Sequence, residues 1–305
     1  MKVFMTGGTG FVGTYLSHYL AAKGHEITIL TRGKPPATFA FPGISYMQGD
    51  PTQERPWMAA VPDFDWLINL AGASVFRRWT KKAKTEILDS RILTTRNLAK
   101  ALAAGDRRQF FCSTSAIGYY GGRGDEELTE DSPPGDDFLA RLARDWEAEA
   151  LKVQELGVRV VITRFGLVLG KEGGVLGQMV PMYRKFLGGP VGSGQQWFSW
   201  IHQEDHARGF LFLQEHPEIS GPVNLTSPNP VRNRELTKAL GRALHRPAFL
   251  KAPAFMLRLI LGEFAGVVLE GQKVLPKRLL DGGFQFLHPT IDAALADLLG
   301  KGPEV

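Results

Sequence analysis

The sequence predicts an α/β fold: a doubly wound parallel sheet with a smaller C-terminal lobe on the substrate side. Three observations carry that expectation. Over the first 165 residues, short apolar runs alternate with longer stretches of helical period, the pattern of βαβ units around a parallel sheet. A glycine-rich turn, Thr6-Gly7-Gly8-Thr9-Gly10-Phe11-Val12-Gly13, joins the first apolar run to the first helical stretch. From Arg246-Pro247 onward the pattern changes to an apolar helical segment and a final amphipathic one. A chain of 305 residues, 44% hydrophobic and 22% charged, can bury roughly 75% of its unfolded surface, which excludes disorder for most of its length.

Taken in order, strands are expected at 2–6, 26–31, 44–48, 66–70, 109–113 and 159–164. A helix over 11–23 places Val12, Leu16, Tyr19 and Leu20 on one face and stops at Gly24, a favourable residue just past a helix end. Longer helices are expected at 80–104 and 138–156. A glycine-rich stretch then runs to Gly194, followed by an apolar run at 197–201, a helix at 204–214, a strand near 223–225 and a helix that Asn233 would cap. Pro253 opens the apolar C-terminal helix, and 291–299 forms the last one. The expected division is a body of 1–245, its sheet mainly 1–165 with substrate-side segments interleaved from 166, and a small lobe of 246–300.

Composition narrows the function. Cys112 is the single cysteine, so neither an internal disulfide nor a thiolate metal site is available, and a cytoplasmic setting is expected. Met1-Lys2-Val3-Phe4-Met5 meets glycines before a signal-peptide core develops, and Arg258 and Glu263 interrupt the apolar stretch 255–269, so no membrane partner is expected. The net charge of +5 is too mild for a nucleic-acid reader and points to small anions.

The glycine turn has the context that a dinucleotide fingerprint needs, between a strand and a helix. Gly8 and Gly10 allow backbone N–H groups to approach a pyrophosphate, and Gly13 lets helix and strand pack closely. In such Rossmann-type folds an acid at the end of the second strand takes a ribose hydroxyl, whereas an Arg accommodates a 2′-phosphate. Here the chain reads Thr31-Arg32-Gly33-Lys34, with no acid. NADP(H) is therefore expected over NAD(H), with an Arg merely exposed after a strand as the alternative.

The fingerprint, Asp50, Asn69-Leu70-Ala71-Gly72 and Ser113-Thr114-Ser115-Ala116 together resemble the extended short-chain dehydrogenases/reductases. Longer strings narrow this: Arg77-Arg78-Trp79-Thr80, Ser115-Ala116-Ile117-Gly118-Tyr119-Tyr120-Gly121, Asp145-Trp146-Glu147, Gly192-Ser193-Gly194-Gln195 and Ser199-Trp200-Ile201-His202. They are similar to the atypical epimerase-like subfamily with a small C-terminal domain of unknown function. The resemblance implies that Gly7, Thr9, Gly10, Phe11, Val12, Gly13, Arg32, Asp50, Leu70, Ala71 and Gly72 bind the cofactor. Active relatives carry Tyr-x-x-x-Lys on the helix after the fifth strand, because a Tyr beside a Lys exchanges the proton during hydride transfer. Counted back from Glu147, those places hold Leu139 and Ala143, which cannot titrate. Ser115 fills the Ser position, Arg91 stands where relatives have Asn, and Tyr119 is the replacement candidate for proton donor, with plain aromatic packing as its alternative.

On the substrate side, Arg77, Arg78, Lys81, Lys82 and Lys84 crowd cations at a helix start, where they oppose the helix dipole. A phosphate or carboxylate pocket explains them, as does a solvated basic face. Trp79, Gln195 and Trp200 are expected to join Arg77 and Arg78 around a small anionic substrate. The acidic stretch 122–137 is solvated or a lid over the cleft. His202 and His206 would share a helix face, but without the Glu that follows the first His of zinc hydrolases, and no metal is expected. Two functions compete: an NADP(H)-dependent oxidoreductase or nucleotide-sugar epimerase-like enzyme, and a non-catalytic NADPH sensor or scaffold. The chain is expected to be a monomer or homodimer.

Overall fold

The computed structural model describes residues 1–34, 41–105, 109–171 and 173–300. In chain order the elements are β1 (Lys2–Thr6), α1 (Phe11–Ala22), β2 (Glu26–Thr31), β3 (Ile44–Gln48), β4 (Trp66–Asn69), α2 (Lys81–Ala103), β5 (Phe110–Ala116), β6 (Glu127–Leu128), α3 (Phe138–Leu151), β7 (Arg159–Phe165), β8 (Leu167–Gly170) and α4 (Gly174–Arg184). There follow β9 (Trp197–Phe198), β10 (Trp200–His202), α5 (Gln203–Glu215), β11 (Gly221–Leu225), β12 (Val231–Arg232), α6 (Asn233–Leu244), α7 (Ala254–Leu261), α8 (Ala265–Leu269), β13 (Lys273–Val274), α9 (Lys277–Asp281) and α10 (Ile291–Leu299).

Seven strands form one parallel sheet in the order β3-β2-β1-β4-β5-β7-β11. This is the expected Rossmann-type fold, with the strand order reversing between β1 and β4. Because side chains alternate across a strand, each apolar run feeds both faces. Val3, Met5, Ile27, Ile29, Ile68 and Cys112 pack with Leu16 and Leu20 of α1 and Phe210 and Leu213 of α5. Phe4, Leu30, Leu67, Phe111, Val160 and Ile162 pack on the other face with Leu98 and Leu102 of α2 and Ala150 of α3. Burial on both faces is why the strands read as nearly continuous apolar runs.

Most boundaries agree with the sequence, and the departures have local causes. The Thr80 hydroxyl accepts from Ala83 N (3.1 Å), so Thr80 caps α2 and lies outside it. The helix expected over 138–156 ends at Leu151, and the chain leaves through a short 3₁₀ turn closed by Gly157 at φ +87°. Asn233 does not cap α6. Its side chain accepts from Val191 N (2.9 Å), while Glu235 accepts from the backbone N–H of Arg232, the actual capping position (2.8 Å).

A third core lies beyond the sheet, where Leu169, Leu176, Trp200, Leu236 and Leu240 meet Ile291, Leu295 and Leu298 of α10. The two-residue strands β6 and β13 pair in parallel, with Leu128 and Val274 fully buried. The segment 122–137 is thus neither solvated throughout nor a free lid: it is a strap sewn to the C-terminal segment.

Candidate cofactor and active site

The carboxyl ends of β1 and β4 are locked to each other. The Thr6 hydroxyl donates to Asn69 Oδ1 (2.7 Å), and Asn69 Nδ2 donates to the Thr95 hydroxyl (2.8 Å), which also accepts from Trp146 Nε1 (2.7 Å). The glycine turn leaves this fixed point. Gly7 lies at φ +71°, and a Cβ there would sit 2.6 Å from the Leu70 carbonyl carbon. A Cβ on Gly13 would sit 2.3 Å from the Gly7 oxygen and 2.6 Å from Gly8 Cα. The first turn of α1 holds no acid, and Thr9 and Gly10 are exposed beside it. A bare cradle of this kind, at a helix N-terminus with unspent N–H groups, fits a pyrophosphate.

Phe11 and Val12 are half-buried. The Phe11 ring lies where a Cβ on Gly170, Gly173 or Gly174 would stand, which ties the cradle to the loop after β8. Leu70 and Ala71 are half-buried and Gly72 exposed along one wall. Arg32 and Lys34 are exposed just past β2, and neither has an ion-pair or hydrogen-bond partner among the described residues. Asp50 is half-buried, and its Oδ1 accepts from both Thr52 N (2.9 Å) and the Thr52 hydroxyl (2.7 Å).

Ser115, at the end of β5, is buried and donates to Glu147 Oε1 (2.6 Å). Glu147 is held by Arg164 through two parallel bonds, Nε to Oε1 and Nη2 to Oε2, both 2.8 Å. The Arg164 Nη1 continues to the Tyr120 hydroxyl (2.9 Å), which donates to Asn224 Oδ1 (2.7 Å), and Asn224 N donates to Glu130 Oε1 (2.9 Å). Burial works against the Arg164 cation, but the Glu147 carboxylate more than offsets it and holds its pKa above the usual range. Burial pushes the Tyr120 phenol up to about 12. This network is the part of the site that sequence reading missed. One signal was present: Arg164 lies within β7, a strand buried on both faces, whose other arginine, Arg159, stands at its first position.

Leu139 packs against Gly118 and Ala143 is buried, so the two dyad places are apolar in space as in sequence. Tyr119 lies with its ring 3.5 Å from the Arg164 guanidinium carbon and edge-on to Tyr120. Arg91 does not reach the Ser115 hydroxyl's partners. It donates to the carbonyls of Ala73 and Ile87 (3.0 Å each) and lies over the Trp146 ring, and burial lowers its pKa to about 10. It braces the loop that Leu70, Ala71 and Gly72 begin.

The expected substrate residues divide. Arg77 pairs with Glu86 (2.7 Å) and Lys84 with Glu263 (2.7 Å). Trp79 packs on Phe138 and Phe264 and donates to the Val75 carbonyl (3.1 Å), which docks this loop on the C-terminal segment. Arg78, Lys81 and Lys82 are exposed and unpaired among the described residues. Gln195 borders a cavity of about 330 Å³ with Gln196, Trp197, Arg232 and Glu270. Trp200 corrects the expectation: it has no exposed surface, packs in the third core and donates to the Asn229 carbonyl, so it cannot line a cleft.

His202 and His206 also part company. His202 Nδ1 accepts from Glu204 N (3.1 Å), so its Nε2 carries the proton that faces Asp297 (3.2 Å). That tautomer leaves no lone pair for an ion, although Glu204 and His288 lie nearby. His206 points into the core, edge-on to Phe165.

Residues 3–225 match the NAD dependent epimerase/dehydratase family, and residues 252–298 match a domain of unknown function. The chain is 42% identical over 302 residues to the chloroplastic epimerase family protein SDR39U1 homolog of Arabidopsis thaliana, covering 98% of this chain and 87% of that protein. It is 39% identical to the epimerase family protein YfhF of Bacillus subtilis, covering 98% of each. The crystal structure of human epimerase family protein SDR39U1 with NADPH superposes with a TM-score of 0.87 at 36% identity, covering 98% of this chain and 99% of that one.

Proposed function

The chain belongs to the NAD dependent epimerase/dehydratase family, and from that premise we propose that it is an NADP(H)-binding atypical short-chain dehydrogenase/reductase acting on a small anionic substrate in the cytoplasm. The observation that carries the reading is the bare glycine cradle closed on Leu70, with Arg32 and Lys34 exposed at the end of β2 and without a partner among the described residues. The human relative crystallised with NADPH supports the same choice. Gly7, Thr9, Gly10, Phe11, Val12 and Gly13 would hold the pyrophosphate region, Arg32 the 2′-phosphate, Asp50 the adenine side, and Leu70, Ala71 and Gly72 the adjoining wall. When bound, the nicotinamide supplies hydride exchange.

The proton must come from the chain by another route than a Tyr–Lys pair. Ser115 is committed to Glu147, whose two carboxylate oxygens are both taken up by Arg164. Tyr119, fixed by its stack on Arg164 and on the loop at the carboxyl end of the sheet, is the group we assign to proton donation. Arg78, Lys81 and Lys82 would attract the anionic substrate. The same commitment of Ser115 favours a second reading, an NADPH sensor without turnover.

Titrating NADPH and NADH against the wild type and Arg32→Asp tests the cofactor. Wild type binds NADPH the tighter of the two, and the variant loses that preference; equal affinities in the wild type reject the assignment. NADPH consumption with a panel of carbonyl compounds and nucleotide sugars separates enzyme from sensor. Turnover that Tyr119→Phe abolishes supports the enzyme, and tight binding with no turnover supports the sensor.

A further inference from the structure

The described residues leave an unusual apolar surface uncovered. None of α7 is buried: Phe255 is 73% exposed, Leu259 75% and Ile260 60%, with Met256 beside them. Two more large rings continue the patch, Phe249 at 78% and Phe186 at 59%. Phe186 lies at φ +60°, a strained conformation for a bulky residue, and Arg246 covers its ring at 5.1 Å. Leu250 N donates to the Gly188 carbonyl (3.0 Å) and Gly192 N to the Ala252 carbonyl (2.9 Å). These bonds join the loop after α4 to the segment before α7, so the exposed apolar residues lie on adjacent segments. Monomer surfaces seldom leave so large an apolar area open without a partner.

The flanking sequence is mainly cationic, and the first acid after α7, Glu263, is paired with Lys84 (2.7 Å). No Asp or Glu occurs in 173–203 or in 236–262, whereas Arg184, Lys185, Arg246, Lys251 and Arg258 all do. A second copy docking through the same patch would set two cationic rims against each other, which argues against a symmetric dimer here. A short helix that exposes Phe255, Met256, Leu259 and Ile260, carries Arg258 and follows Lys251 has the apolar-plus-cationic chemistry of an interfacial helix. We propose that α7 and the adjoining 182–187 and 246–252 segments dock this protein on an anionic lipid bilayer. The absence of a helix long and apolar enough to span a membrane among the described residues does not bear on such a surface contact.

The test is co-sedimentation of the full chain with phosphatidylcholine vesicles, with and without phosphatidylglycerol, beside sedimentation velocity of the protein alone. The wild type should pellet with the phosphatidylglycerol vesicles only, less so as salt is added. Phe255→Glu with Leu259→Glu, and separately Lys251→Glu with Arg258→Glu, should each weaken binding by about tenfold or more. The unfolding temperature and NADPH affinity of both variants should stay at the wild-type level, since these side chains are exposed and lie outside the glycine cradle. Failure to bind phosphatidylglycerol vesicles overturns the proposal, as does binding that neither variant weakens. A dimer that Leu259→Glu dissociates, with no vesicle binding, assigns the patch to a second copy instead.

Discussion

Arg164 sits almost wholly out of water at the centre of the site, and one carboxylate, Glu147, neutralises it. Removing that carboxylate leaves an uncompensated buried cation, which costs about 3–5 kcal/mol, whereas deleting a hydroxyl that donates to a charged group costs about 1.5–3 kcal/mol. Urea unfolding of Glu147→Gln should therefore show a larger loss than Ser115→Ala; similar losses would mean that the guanidinium finds water or another acid. His206 makes a second residue-level case. Burial lowers its pKa from 6.5 to about 3, so the native state stays neutral while the unfolded chain takes up a proton below about 6.5. Stability should fall with decreasing pH through that window, by up to about 1.4 kcal/mol per pH unit from this group. Burial of His202 acts in the same direction. His206→Phe, which keeps the aromatic contact with Phe165, should flatten the slope between pH 6 and 4. An unchanged slope would place the titration elsewhere.

At the scale of elements, the glycine turn and the 122–137 strap stand at opposite ends of what a sequence discloses. The turn is local: strand, glycines and helix are contiguous, so the requirement that Gly13 leave room for the Gly7 carbonyl is written within a few residues. A Gly13→Ala chain should lose NADPH binding and unfold at a lower temperature, because its Cβ would lie 2.3 Å from a backbone oxygen that cannot retreat. Retained affinity would mean that the turn can open. The strap is not local. β6 and β13 contribute two residues each, too few for any periodicity, and their pairing joins residues 146 positions apart. Asp125 accepts from Trp197 Nε1 (2.9 Å) and Arg232 Nη2 (2.6 Å), partners that no spacing rule would select. The same limit explains Trp200, whose neighbours in sequence are the short strands β9 and β10 and whose core partners lie far along the chain. Since Asp125 is exposed, Asp125→Ala should leave global stability nearly unchanged. It should nevertheless speed proteolytic cleavage within 122–126; unchanged cleavage would leave β6 alone as the anchor.

For the whole molecule, the question is whether the body of 1–245 and the segment beyond it are separable. The sequence changes character at Arg246, and the family matches divide nearby, at 225 and 252. Physically, however, the later segment supplies parts the body needs. Asp205, fully buried at the start of α5, spends its carboxylate on Leu287 N and His288 N (2.8 Å each) and on Arg208. Ser199 donates to the Gln272 carbonyl and accepts from Val274 N, and Asn224 donates to the Leu275 carbonyl. Ile291, Leu295 and Leu298 fill the core around Trp200 and Leu240. Cutting the chain after His245 would strand a buried carboxylate and open that core, losses of about 2–5 kcal/mol for each large apolar side chain removed and 1–3 for each stranded polar group. Losses on that scale rival the 5–15 kcal/mol that holds a typical domain together. Residues 1–245 expressed alone should therefore be unfolded or aggregated, and the full chain should unfold in one transition, with tryptophan fluorescence and far-UV circular dichroism coincident. A folded fragment that binds NADPH, or two resolved transitions, would show that the C-terminal segment is an accessory to the cofactor fold, where the observed contacts make it a part of the fold itself.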